Sequence, residues 1–220
     1  MAGHSVERVA PERATLHVEV GFDAGDRADA SHRTTTLANR VVAHLQALEG
    51  AGVSPLTSYA VFPMTTHSWR PHSDAGAVLP PRHAASVSME VTFQDFGALA
   101  EFGAQVGGLA GVQLRGVEWT LTAATRSRLE ERVLTAAVAD ARGRAVSIAR
   151  SLGAADVEPL EVADPGLLAR AGVEQPGPRM QPMSLSAGAE AFRAGGQEAV
   201  QLVPQELTVE ASVHARFTTV

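Results

Sequence analysis

The segment from Arg128 to Gly153, RLEERVLTAAVADARGRAVSIARSLG, constrains the fold of this chain more than any other. From Leu134 onward, Val138, Ala141, Ala145, Ile148 and Leu152 recur at steps of 4, 3, 4, 3 and 4, the narrow apolar seam of a helix that packs along its length. That spacing describes packing and not chemistry. It predicts that Ile148 and Leu152 are buried with the rest of the seam. Ser127 and Glu130 have the spacing of a capping box, Arg150 and Gly153 suit the end of the helix, and Asp140 with Arg144 forms an i,i+4 pair.

A helix of this kind needs a sheet or another helix to lie on, and the chain offers several strands. Leu16, Val18, Val20 and Phe22 alternate with Thr15, His17 and Glu19 in ATLHVEVGF, which puts His17 on the polar face of a half-buried strand. From about Asp26 to Glu49 the period becomes helical through Leu37, Val41, Leu45 and Leu48, with Gly52 placed for a left-handed cap. A strand over Leu56 to Phe62 precedes a Pro-, Ser-, Gly- and His-rich loop. The segment ASVSMEVTF follows, then Asp95 as the cap of a helix ending in GGLAG, and then a strand in VQLRGVEWTLT. After the long helix come a short strand near Val157 to Val162 and a closing strand in ELTVEASVHARFTT, with Leu207, Val209, Ala211, Val213 and Ala215 on one side. The predicted class is α+β: β-α-β and β-α-β, a long helix and C-terminal strands, with a mixed or antiparallel sheet and helices on one face. One domain over 1–220 is expected, interrupted by irregular segments at about 63–82 and 164–203.

Composition removes many function classes. There is no cysteine, so thiol nucleophiles, cysteine-based metal sites and disulfides are excluded. No lysine occurs either, which removes Schiff-base and P-loop lysine chemistry. The 18 basic residues are scattered and outnumbered by 24 acids, giving a net charge of −6 that argues against nucleic acid as a partner. No apolar run is long enough for a signal peptide or a membrane span, and a cytoplasmic location is expected.

Candidate reactive groups are weak. His67, His72 and His83 are the best metal candidates, but no carboxylate or cysteine stands near them at diagnostic spacing. His214 is expected opposite the apolar face of the last strand. No G-x-S-x-G elbow is present. Glu130 and Glu131 are adjacent on a helix, about 100° apart, and read as solvated surface. Gly107, Gly108 and Gly111 follow a helix and precede a strand, the reverse of a dinucleotide-binding order. No cofactor is expected. The better candidate for partner contact is Trp69, an aromatic among Pro, Ser and His; Met180, Met183 and Leu185, adaptable apolar groups in a region without period, read first as gap-filling or strand-covering and second as partner contacts.

Three stretches resemble a known family, the SIMPL domain proteins of bacteria: VAPERATLHVEV, AAVADARGRAVSIARSLG and VPQELTVEASVHARF. The element order and PRMQPM fit as well. Glu12 stands where the family has Asp, and Gln205 follows Pro204 where it tends to have Gly. The resemblance implies no catalytic residue. It implies links to stress tolerance, protein partners that include a signalling kinase, and assembly into rings or larger oligomers. Many members carry an export signal or lipid anchor, for which this sequence shows no segment. A non-enzymatic, self-associating binding or assembly module is therefore expected, a homo-oligomer with a protein partner to be identified. The alternatives are a hydrolase-like enzyme built from distant His, Ser and Asp residues, or a histidine-dependent metal or haem binder.

Overall fold

In chain order the protein forms β1 (Ala2–Val9), β2 (Arg13–Ala24), α1 (Arg27–Glu49), β3 (Leu56–Val61), β4 (Thr65–Trp69), β5 (Arg82–Phe93), α2 (Phe96–Gly107), β6 (Val112–Thr120), α3 (Ala123–Ser151), β7 (Val157–Ala163) and β8 (Leu207–Thr219). This computed structural model describes residues 1–50, 53–72, 78–168 and 203–220. The class is α+β, as the sequence predicts, and every strand pairing is antiparallel. The described elements fall into two compact units, one containing β1, α3, β7 and β8 and the other running from β2 to β6.

In the second unit the strand order is β3-β5-β2-β6, with β4 also paired to β5. The β2-α1-β3 and β5-α2-β6 passages thus interleave as a split β-α-β arrangement. Alternation decides the two faces. Leu16, Val18 and Val20 of β2 and Val87, Met89, Val91 and Phe93 of β5 are buried beneath the helices, while Thr15, His17, Glu19 and Glu90 occupy the other face. Asp26 caps α1 by accepting from the Asp29 amide at 3.0 Å, and Asp95 caps α2 through the Gly97 and Ala98 amides. The buried stripe of α1 is Ala30, Thr34, Ala38, Val41 and Leu45, so Leu37 and Leu48 lie on its flanks. Buried Thr34 is satisfied by donating to the Ala85 carbonyl at 3.1 Å. The C-cap is Gly50, in a right-handed conformation, and Gly52 lies outside the described residues.

In the first unit α3 lies on a three-stranded sheet of order β1-β8-β7. Its buried ridge is Leu129, Val133, Ala137, Ala141, Ala145 and Ala149. This corrects the seam read from the sequence. Ala141 and Ala145 belong to it, but Leu134 is 46% exposed, Ile148 47% and Leu152 79%. The physical reason is closeness. A strict i+4 ridge winds by about 40° per step, following a twisted sheet, and alanines let strand and helix approach. At Gly3 an added Cβ would stand 2.0 Å from the Ala137 carbonyl oxygen and 2.6 Å from the Ala141 nitrogen. The helix also begins earlier than Ser127 implies, with Thr122 as its cap, so Ser127 and Glu130 are interior positions. Its C-terminal end follows the sequence, with Gly153 left-handed at φ +88 just beyond.

Two strands, β1 and β4, carry no clear strand signal in the sequence. β1 is unremarkable as AGHSVERV and is held by β8 at the far end of the chain. β4 occupies the segment read as a loop within 63–82, because Thr65 to Trp69 find partners in Ser86 to Arg82.

Candidate partner-binding surface

The two sheets have four edges, and they are protected very differently. At β1 two outward backbone groups are taken up by α3: Asp140 accepts from the His4 amide at 3.1 Å, and Arg144 donates to the Ala2 carbonyl at 2.8 Å. Asp140 and Arg144 therefore serve the strand instead of forming the i,i+4 pair expected of them. β7 carries Pro159, Glu158 and Glu161, with a register break between Pro159 and Glu161. Proline, charge and a bulge all discourage a further strand. β6 breaks register opposite His17 and Val18, where Gly116 has φ +149, and Arg115 beside the break donates to Glu19.

The remaining edge is β3 and β4, which lie end to end along β5: β3 pairs with Met89 to Phe93, and β4 with Arg82 to Ser86. From Leu56 to Trp69, LTSYAVFPMTTHSW, there is no charged side chain. Val61 is 44% exposed and Phe62 43%, and four of the five β4 residues are exposed. Pro63, between the two strands, interrupts the edge, and β3 has a register irregularity between Leu56 and Ser58 at its start.

Trp69 stands at the end of this edge and is half-buried. The His67 and Trp69 rings lie 4.9 Å apart on one face, as residues two apart in a strand must. Opposite Trp69 in the register is Arg82, which is ion-paired with Asp23. Met180, Met183 and Leu185 lie outside the described residues.

The histidines offered as metal candidates do not converge. His67 pairs with Ala84 and projects on one face; His83 pairs with Ser68 on the other, where Ser68 Oγ and His83 Nδ1 are 2.6 Å apart. A second serine–histidine contact, His4 Nδ1 to Ser212 Oγ at 3.0 Å, is in the other sheet. Both are exposed, and among the described residues no carboxylate contacts either histidine. His17 lies on the polar face as predicted, its Nδ1 3.7 Å from Glu90 and its Nε2 3.9 Å from Glu118. The two carboxylates flank opposite sides of the ring and cannot share one metal with it. Sequence reasoning missed this grouping because neither glutamate is near His17 along the chain.

A family profile, SIMPL, protein of unknown function (DUF541), matches residues 1–217. The chain belongs to the SIMPL family. Its match runs through elements of both units, from β1 to β8. No curated protein matches this SIMPL chain significantly. No helix among its described residues is long and apolar enough to cross a membrane.

Proposed function

We propose that this SIMPL protein is a non-enzymatic module that self-associates, adding the β3/β4 edge of one copy to that of another. The observation that carries the reading is the charge-free run from Leu56 to Trp69 along an exposed sheet edge. An uncovered edge presents unpaired N–H and C=O groups and is a template for a further strand, so proteins normally guard such edges with charge, proline or bulges. The other three edges carry charged residues or are taken up by charged side chains, whereas this edge has Pro63 and the irregularity at Leu56–Ser58 but no charged residue of its own. The β3/β4 edge adds Val61, Phe62 and Trp69, apolar groups suited to a contact that excludes water. Trp69 is assigned to partner contact on this basis, and Met180, Met183 and Leu185 are kept in that role on the sequence argument alone. Residues 1–220 are read as one functional domain, because the termini pair in one unit while the intervening chain builds the other. A role in stress tolerance rests on family resemblance only.

Light scattering tests the reading. Wild-type protein is expected to have a mass of two or more chains. Val61→Lys and Phe62→Lys, each placing a cation on the edge, should shift it toward one chain while circular dichroism stays unchanged. A wild-type protein that is monomeric at high concentration would overturn self-association; a lysine series that leaves the mass intact would remove this edge from it.

A further inference from the structure

A second feature of the β2–β6 unit points to a small-molecule ligand. Between α1 and the turn leading from α2 into β6 is an open hollow of about 380 Å³, within the range of small-ligand sites. Its floor is apolar: Phe22 at the end of β2, Leu37 on the flank of α1, and Ala110. The glycine run after α2 explains the floor. Gly111 is left-handed at φ +92, and a Cβ there would stand 2.5 Å from the Phe22 ring, so only glycine lets this ring lie where it does.

The rim is cationic in a chain whose net charge is −6. Arg33 and Arg40 come from α1 seven residues apart, about 10 Å along the helix axis. Their situations differ. The Arg33 guanidinium lies over the Phe22 ring at 4.3 Å and 3.9 Å from Asp29, so it is oriented and partly neutralised. Among the described residues the Arg40 side chain has no ion pair or hydrogen bond, and no acidic side chain lines the hollow. One end therefore presents a flat guanidinium above an aromatic ring, and the other presents a cation free to take an anion.

We infer that this hollow binds an aromatic carboxylate of about two fused rings, its carboxylate on Arg40 and its ring system over Leu37 and beside the Arg33 plane. A guanidinium favours a carboxylate because the planar fork matches two oxygens. A body of two rings fits the separation of the two arginines. The proposal is independent of self-association and can be read in any oligomeric state.

The probe is 2-naphthoate, titrated into the full chain and followed by backbone amide and arginine Nε–H shifts in NMR. Two controls are 2-naphthalenemethanol, which lacks the charge, and inorganic phosphate, which lacks the rings. Because the hollow is open, a dissociation constant of roughly 1 mM is expected for a ligand of this size. The alcohol and phosphate should each bind at least tenfold more weakly. Arg40→Gln, at an exposed position, should weaken naphthoate about tenfold with an unchanged amide spectrum elsewhere, and Leu37→Ser should weaken it severalfold. Absence of shifts near Arg33 and Arg40, an alcohol that binds as well as the acid, phosphate that binds as well as naphthoate, or an Arg40→Gln variant of unaltered affinity would each overturn the assignment.

Discussion

The β1 edge and the β3/β4 edge face the same physical problem and meet it differently. At β1, α3 supplies a carboxylate to an outward amide and a guanidinium to an outward carbonyl, and Gly3 lets the helix come close enough to do so. At β3 and β4 no side chain of either charge stands anywhere from Leu56 to Trp69, and apolar groups are left exposed. The difference teaches that edge exposure in this protein is selective. A chain with 24 acidic and 18 basic residues had charges available for this edge, and they stand elsewhere. Opening the guarded edge, or finding association on a different surface, would erase this distinction.

The largest expected effect comes from Gly3→Ala. The added methyl would overlap backbone atoms of α3, and neither the Ala137 carbonyl nor the Ala141 amide can move without disturbing the helix. Forcing a carbon into such a space costs about 3 kcal/mol. Thermal unfolding should show a markedly lower midpoint, and amide exchange along β1 should accelerate. A midpoint close to that of wild type would show that α3 does not hold the edge as described.

The next effect is smaller. Asp140→Ala leaves the His4 amide without its carboxylate while keeping the helix, so about 1 kcal/mol should be lost, the pair being exposed. Chemical denaturation measures the loss, and light scattering reads the consequence that matters for the comparison. An unguarded β1 edge should give additional association at high concentration. Loss of stability with no gain in association would mean that Asp140 stabilises β1 without guarding it.

How much of this was legible beforehand depends on which interactions are local. The strand at Leu16 to Phe22, the cap at Asp95 and the helix end at Gly153 are set by residues close in sequence, and periodicity and residue type find them. β1 was invisible because its partner, β8, is some 200 residues away in the register, at Leu207 to His214. β4 reads as loop because prolines flank a five-residue polar run, TTHSW, whose strand form depends on pairing with β5. The α3 seam failed for a different reason. Hydrophobicity ranks Ile148 and Leu152 above Ala137 and Ala149, yet close approach to a sheet selects small side chains over large ones. For the candidate surface, Trp69 could be nominated from composition, but the charge-free edge acquires meaning only once β3 and β4 are seen to share β5.

That failure supplies the smallest effect and the sharpest control. From periodicity alone Ile148→Asp should place an unpaired charge in a core and cost several kcal/mol. The structure reverses this expectation, because Ile148 is nearly half exposed on α3, near Arg144 but away from the ridge that meets the strands. A surface change of this kind stays within about 0.5 kcal/mol, so the unfolding midpoint should barely move. The same variant also discriminates between surfaces. Leu134, Val138, Ile148 and Leu152 leave apolar groups exposed along α3, and if copies met there, the introduced carboxylate would lower the mass in solution. If association runs through the uncharged edge of β3 and β4, Ile148→Asp should retain the wild-type mass under conditions where Phe62→Lys loses it. The opposite pattern, a drop in mass for Ile148→Asp and none for Phe62→Lys, would transfer the assembly surface from the strand edge to the helix.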